Sequence, residues 1–165
     1  MVKIITARPQ QLQIVREIAL VTWPHTFGEI LSPPQIDYML DMMYSPAALQ
    51  QQTAEKGHVF LLADVDGIFG GFAAYELNYK QQPVSKLHKI YILPAMQGKQ
   101  VGKALIHEVA RIAREAGMQR LSLNVNRHNK ATGFYERIGF SKTGEEDIDI
   151  GNGFVMNDTI MEMPL

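Results

Sequence analysis

Residues Leu87 to Lys103 read Leu-His-Lys-Ile-Tyr-Ile-Leu-Pro-Ala-Met-Gln-Gly-Lys-Gln-Val-Gly-Lys. An apolar strand here runs into a glycine-containing turn and then into a helix over Ala104 to Ala116. At such a junction the first N–H groups of the helix lack intrahelical partners, and the positive end of the helix dipole faces the same spot. The chemistry this favours is the binding of a phosphate-bearing cofactor. The spacing excludes two common phosphate loops. A nucleotide-hydrolysing P-loop places four residues between its first glycine and Gly-Lys, then Ser or Thr for magnesium. Here Gly98 and Gly102 have three residues between them, and Ala104 follows Lys103. The dinucleotide fingerprint Gly-x-Gly-x-x-Gly is absent as well. Another pyrophosphate carrier is expected.

The second informative segment, Asn124 to Phe140, reads Asn-Val-Asn-Arg-His-Asn-Lys-Ala-Thr-Gly-Phe-Tyr-Glu-Arg-Ile-Gly-Phe. Arg120 to Val125 alternates as a strand, Asn129 is placed to cap a short helix, and Gly139 ends that helix before Phe140 starts another strand. Together the two segments resemble the GNAT superfamily of acyl-CoA-dependent N-acetyltransferases. The family's phosphate turn reads Arg/Gln-x-x-Gly-x-Gly/Ala, against Gln97-Gly98-Lys99-Gln100-Val101-Gly102 in this chain. Asn129, Ala131, Phe134, Tyr135, Gly139 and Phe140 stand at the family's spacing. Gln100 departs from the pattern, because it occupies the position of the first motif glycine, and a side chain there hinders one close amide–phosphate approach. The resemblance is tight over Lys86 to Phe140 and loose over the rest of the chain.

These residues must be held by a scaffold, and the order of its elements can be read along the chain. Val2 to Ile5 is a first strand. Pro9 opens a helical pattern with Leu12, Ile14, Val15, Ile18, Ala19 and Val21 on one broad apolar face, expected to stop near Trp23-Pro24. Ser32-Pro33-Pro34 begins a second helix carrying Ile36, Met39, Leu40 and Met43, and Ser45-Pro46 begins a third towards Lys56. Three strands follow at His58 to Ala63, Phe69 to Leu77 and Lys86 to Leu93, with turn chemistry at Asp64 to Gly67 and Lys80 to Pro83. A helix spans Val101 to Ala116, a strand Arg120 to Val125 and a short helix Lys130 to Ile138. The strands Phe140 to Ile150 and Phe154 to Met163 close the chain around the hairpin signal Gly151-Asn152-Gly153.

Composition narrows the function classes. With 165 residues and 46% hydrophobic content the chain suits one domain over residues 1–165 with a single sizeable core. A formal net charge of -1, without a long Lys/Arg run, argues against general nucleic-acid binding and for a small, soluble partner. The absence of cysteine removes disulfides, thiolate metal sites and a cysteine nucleophile, and the five histidines show no metal-ligand spacing, so no metal is expected. With neither a signal region nor a bilayer-length apolar run, the expected location is the cytoplasm, with no membrane partner. Edge strands or the methionine-rich second helix, with Met39, Met42 and Met43, offer faces for a homodimer, and nothing singles one out.

The resemblance implies an α/β (α+β) fold, with a mixed, mostly antiparallel seven-stranded sheet splayed between its fourth and fifth strands and flanked by about four helices. It implies acetyl-CoA as acyl donor in that wedge, its pantetheine arm pairing with the backbone at Tyr91, Ile92 and Leu93. The pyrophosphate would lie on Gln97, Gly98, Lys99, Gln100, Val101, Gly102 and Lys103. In this superfamily the amine attacks the thioester directly, so the protein positions the reactants, polarises the carbonyl and moves protons. The family position of Tyr135 implies a hydroxyl near the CoA sulfur that protonates the leaving thiolate; a tyrosine packed at a helix–sheet boundary is the alternative. Asn129 caps a helix and touches the cofactor, while Lys99 and Lys103 neutralise phosphates or stand as solvated charges. For the general base, Glu76, His88 and ordered water all remain open.

The acceptor must be read from variable segments. Trp23-Pro24-His25-Thr26-Phe27 joins the first two helices where the family builds the rim of the acceptor pocket, or else Trp23 and Phe27 belong to the core. Glu145, Glu146, Asp147 and Asp149, with Asp37, Asp41 and Asp158, suit a positively charged polyamine, or form a solvated edge that discourages aggregation. In layout the chain is similar to bacterial PaiA-type polyamine acetyltransferases, through Thr26-Phe27, Lys89-Ile90-Tyr91-Ile92 and Asp158 to Met161. The expectation is acetyl transfer to a small amine, a polyamine first. A protein N-terminus or an aminoglycoside is the alternative acceptor, and a non-catalytic acyl-CoA sensor is the alternative of another class.

Overall fold

The computed structural model describes residues 1–165. The chain folds as β1 (Val2–Thr6), α1 (Leu12–Phe27), α2 (Pro33–Tyr44), α3 (Pro46–Ala54), β2 (Val59–Val65), β3 (Ile68–Glu76) and β4 (Val84–Ile92). It continues as α4 (Val101–Glu115), β5 (Arg120–Asn126), α5 (Thr132–Ile138), β6 (Ser141–Gly151) and β7 (Phe154–Pro164). This is the element order expected from sequence, with five α-helices where about four were expected. No helix is long and apolar enough to cross a membrane.

The seven strands form one sheet in the order β1-β2-β3-β4-β5-β7-β6. Neighbours are antiparallel except β4 and β5, which pair in parallel only from Val84↔Arg120 to Leu87↔Leu123. Both strands run on past that point, so their facing edges separate into the expected wedge. Backbone N–H and C=O groups along those edges need partners, which makes the wedge a docking line for an extended molecule.

Helices cover both faces. On one face α4 turns Val101, Leu105, Ile106, Val109, Ala110 and Ala113 onto Leu61, Ala73, Leu87, Leu121 and Leu123. The helical spacing of those six residues is what makes one stripe of α4 apolar. On the other face α1, α2 and α3 close over Phe60, Leu62, Phe72 and Ala74 with Val15, Ala19, Trp23, Met39, Tyr44 and Leu49. Serine hydroxyls start two of these helices: Ser32 accepts from Gln35 N–H at 3.3 Å and Ser45 from Ala48 N–H at 3.2 Å.

Two sequence expectations need correction. The first helix does not stop at Trp23-Pro24 but continues through Pro24 to Phe27. A proline inside a helix costs ~3 kcal/mol because it removes a hydrogen bond and crowds the preceding turn. Here Trp23 and Phe27, one turn apart with ring centroids 4.4 Å apart, are both buried, and that packing carries the helix past the proline. The short helix begins at Thr132 with Ala131 as its cap, not at Lys130 with Asn129 as its cap. Asn129 instead holds the turn before it, its Oδ1 accepting from Ala131 N–H at 2.9 Å.

A bulge in β4 shapes the site. Leu87 opposes Tyr75 and Lys89 opposes Ala74, leaving His88 as the extra residue. A bulge breaks the alternation of side chains, and the consecutive His88 and Lys89 line one cavity.

Candidate active site

The turn between β4 and α4 opens on a cavity of about 890 Å³. Of the residues assigned from sequence to the cofactor, Tyr91, Ile92, Gln97, Gly98, Gln100, Val101, Gly102, Lys103 and Asn129 line it, as does Tyr135. Two do not. Leu93 packs against the α1 side and donates its N–H to Gly70 O at 2.8 Å, and Lys99 is exposed outside the cavity.

The turn folds through two left-handed residues, Gly98 (φ 78) and Gln100 (φ 64). Gln100 therefore adopts the backbone that the family's glycine would adopt, with the strain an L side chain carries there. It is the N-terminal cap of α4, and the first bond of that helix runs from Ala104 N–H to Gln100 O at 3.0 Å. The N–H groups of Val101, Gly102 and Lys103 precede that bond and sit where helices leave donors unpaired. Lys103, His107 and Arg137 add basic side chains to the same cavity. Gly102 is small for a separate reason: a Cβ there would come 3.1 Å from the ring of Phe134.

A smaller inner cavity of about 210 Å³ lies on the α1–α3 face. Trp23, Phe27, Met39, Met42 and Met43 form an apolar wall, so the rim aromatics and the methionines of α2 serve the cavity while Trp23, Phe27 and Met39 also serve the core. Pro24 and His25 are exposed, and Thr26 lines the outer cavity. Ile90, Tyr91, Asn129 and Tyr135 line both cavities, so the two meet at those residues.

Tyr135 sits on α5 with its ring packed edge-on to Phe134 and Phe140, at 5.4 and 5.8 Å between centroids. Burial raises its hydroxyl well above the usual phenol range, which keeps the proton on oxygen at physiological pH. Burial raises Tyr91 in the same way, with smaller contributions from Tyr44, Tyr135 and Asp158, which places these groups within electrostatic reach of one another.

The two open candidates for the base stand together. His88 Nε2 lies 2.9 Å from Glu76 Oε1, and His58 Nε2 approaches the same oxygen at 3.5 Å. The imidazoles stack at 4.1 Å and 15°. Burial, followed by Lys89 and Lys86, lowers His88 to about 3; burial, followed by His88 and Lys89, lowers His58 to about 4. His58, Glu76 and His88 offer ligand atoms within 4.8 Å of one another, a grouping no sequence spacing announced. Nearly parallel rings do not converge on one point as tetrahedral coordination asks, so the set is read as a hydrogen-bonded cluster.

Lys89, which the sequence marks as a strand residue and as part of the PaiA-like segment Lys89-Ile90-Tyr91-Ile92, is 7% exposed. Its ammonium contacts Gln52 Oε1 and lies over the rings of Tyr44 and Phe60, at 5.2 and 5.0 Å. Burial, and then the charge of Lys56, lowers it to about 7. The bulge that turns Lys89 inward has no sequence signature in a strand read by alternation.

Of the seven acidic residues considered for an acceptor, only Asp158 lines the inner cavity. Glu145 and Asp147 pair with Arg127, and Asp149 accepts from Gly151 N–H. Asp37 and Asp41 are exposed on α2, and Glu146 accepts from Asn124 Nδ2 at 2.9 Å. Asp158 Oδ2 also accepts from Asn124 Nδ2, at 3.2 Å, while its Oδ1 is buried without a hydrogen-bond partner.

Comparison with known proteins points the same way as the geometry. Residues 30–161 match the family model described as an acetyltransferase (GNAT) domain. An uncharacterized N-acetyltransferase of Mycobacterium tuberculosis is 29% identical over 144 residues, spanning 84% of this chain and 91% of that protein. The spermidine N(1)-acetyltransferase of Thermoplasma acidophilum is 27% identical over 152 residues, spanning 89% of this chain and 90% of that protein. The crystal structure of the PaiA N-acetyltransferase of Thermoplasma acidophilum in complex with coenzyme A superposes with a TM-score of 0.82 at 25% identity, over 100% of this chain and 99% of that one.

Proposed function

The chain belongs to the GNAT acetyltransferase family and is an acyl-CoA-dependent N-acetyltransferase with acetyl-CoA as its donor; from that premise we propose that it acetylates a primary amine of a small molecule, a polyamine such as spermidine. The observation that carries this reading is the junction of the two cavities at Tyr91, Asn129 and Tyr135. A donor in the outer cavity and an amine in the inner one would meet at that point, which converts a bimolecular reaction into one between positioned groups. Support for a polyamine comes from the spermidine-acetylating relative and from the aromatic and methionine wall, which suits a methylene chain.

The outer cavity fits the donor. A helix start, two left-handed turn residues and three basic side chains suit a pyrophosphate, and the unpaired edge of β4 suits an amide-bearing arm. We assign Gln97, Gly98, Gln100, Val101, Gly102 and Lys103 to the phosphates, Tyr91 and Ile92 to the arm, and Asn129 to the junction. Acetyl-CoA supplies an acyl thioester and the thiol that leaves. As the amide bond forms and the thioester C–S bond breaks, Tyr135 Oη, kept protonated by burial, would give its proton to the departing sulfur and take one back from the newly acylated nitrogen. Burial holds His88 at about 3, too weakly basic to take the proton of an alkylammonium, so that proton leaves through ordered water while the His88–Glu76 contact shapes the cavity floor. Lys89, which lines the inner cavity, is lowered by burial to about 7, so its charge opposes a cationic acceptor less than an ordinary lysine would.

The test is CoA release from acetyl-CoA by the purified protein with spermidine, spermine, short diamines, aminoglycosides and N-terminal peptides. Preferential turnover of the polyamines supports the reading. A preference for peptides or aminoglycosides, or acetyl-CoA binding with no turnover of any amine, overturns it.

A further inference from the structure

Asp158 is 7% exposed and is one of the residues lining the inner cavity, with one carboxylate oxygen held and the other, Oδ1, buried without a partner. The held oxygen, Oδ2, accepts from Asn124 Nδ2 at 3.2 Å. Asn124 is itself fixed from both ends: Nδ2 also donates to Glu146 Oε1 at 2.9 Å, and Oδ1 accepts from the Lys86 ammonium. The orientation of the carboxylate is therefore set by a network that leaves Oδ1 without a partner. A buried carboxylate oxygen with no donor is unfavourable, and such atoms are rare in folded proteins. A residue that lines a cavity and keeps such an oxygen unpartnered offers it to a donor that arrives from outside.

No cation of the chain takes that place. Lys86 is bound to Asn124 and lies over the ring of Tyr79 at 5.3 Å. Lys89 turns to Gln52, Tyr44 and Phe60. Arg127 Nη2 is engaged with Asp147 at 2.7 Å, and its Nε, 3.8 Å from Glu145, makes no hydrogen bond to Asp158. Burial raises the Asp158 carboxyl, with Glu146 adding to that direction and Asn124, Lys86 and Arg127 opposing it.

We infer that Asp158 Oδ1 seats the non-reacting ammonium of a di- or polyamine and so selects acceptors with a second positive charge. The assignment rests on the polyamine reading above and deepens it. The reacting nitrogen must lose a proton to attack, and a carboxylate against it would favour the charged, non-nucleophilic form. A nitrogen that stays charged throughout is the one a carboxylate holds to advantage. The methylenes between the two nitrogens would run along Trp23, Phe27 and Met39.

The test compares 1,4-diaminobutane with n-butylamine, which differ only in the second nitrogen, in the wild type, Asp158→Asn and Asp158→Glu. Hydrogen bonds to charged groups set the scale, so Asp158→Asn is expected to raise KM for the diamine about tenfold to a hundredfold. KM for butylamine and for acetyl-CoA should change far less than KM for the diamine, because neither carries the second ammonium, and Asp158→Glu should recover part of the loss. Equal losses for both amines, or no loss for either, overturn the assignment. A calorimetric titration of 1,4-diaminobutane into the CoA-bound protein separates the two readings. Binding in the wild type that Asp158→Asn abolishes supports the carboxylate seat even where turnover fails, whereas absent or unchanged binding overturns it.

Discussion

His88 Nε2 lies 2.9 Å from Glu76 Oε1, joining the bulge of β4 to the end of β3 beneath the inner cavity. The contact fixes which ring nitrogen carries the proton, because a carboxylate accepts and the nitrogen facing it must donate. Nδ1 is then left as the acceptor. With His88 held at about 3, the imidazole is too weak a base for an alkylammonium. Glu76→Gln and His88→Gln are therefore each expected to change kcat by less than about tenfold, with KM for acetyl-CoA unchanged. Steady-state CoA release by both variants checks this; a loss of about a hundredfold or more in His88→Gln alone would make the imidazole the base.

Acid should weaken the fold through the two stacked histidines. Their folded values, about 4 for His58 and about 3 for His88, lie below the ordinary 6.5. The unfolded chain therefore binds more protons in that window, and stability falls as pH drops from 6.5 towards 3. The groups facing them are Glu76, Lys56, Lys86 and Lys89. Thermal melts at pH 7, 5.5 and 4.5 should show a declining Tm in the wild type. The decline should be clearly shallower in the double variant His58→Gln/His88→Gln.

Lys89 should leave its mark at the other end of the scale. Its folded value of about 7 lies below the ordinary 10.5, so the unfolded chain holds the extra proton between those limits and stability rises with pH across them. The penalty is complete below pH 7 and absent above 10.5. Lys89→Met keeps the volume and removes the titration; urea denaturation of this variant at pH 7 and pH 10 should show a smaller difference in stability than in the wild type, by on the order of 3 kcal/mol.

Gln100 carries the strain of a left-handed backbone, about 1–2 kcal/mol for an L side chain. Gln100→Gly is expected to raise the urea midpoint by an amount worth about 1 kcal/mol, part of the relief being offset by glycine's freedom in the unfolded chain. Binding of CoA should be unchanged or tighter. A lower midpoint would mean that the Gln100 side chain stabilises the turn in a way its backbone does not reveal.

Much of this arrangement was legible in the sequence because its signals are local. The turn Gln97 to Lys103 and the segment Asn129 to Phe140 carry their spacing with them, and eleven of the twelve expected elements form near their expected bounds as α-helices or strands; the first helix overruns its bound. Helix α1 passes Pro24 because Trp23 and Phe27 pack against Tyr91, a contact between residues remote in the chain. The gathering of His58, Glu76 and His88 depends on the pairing of β2, β3 and β4 and on a bulge that alternation conceals. Among seven candidate acids, burial alone distinguishes Asp158, and burial depends on which strands end beside which helices.

The central claim is that Tyr135 delivers the proton to the leaving sulfur where the two cavities meet. It is tested most directly by CoA release from acetyl-CoA and spermidine with wild type and Tyr135→Phe, alongside acetyl-CoA binding to each. The account predicts that kcat falls by about a hundredfold or more, the scale of a lost general acid, while the Kd for acetyl-CoA holds. Turnover by Tyr135→Phe equal to that of the wild type would contradict it.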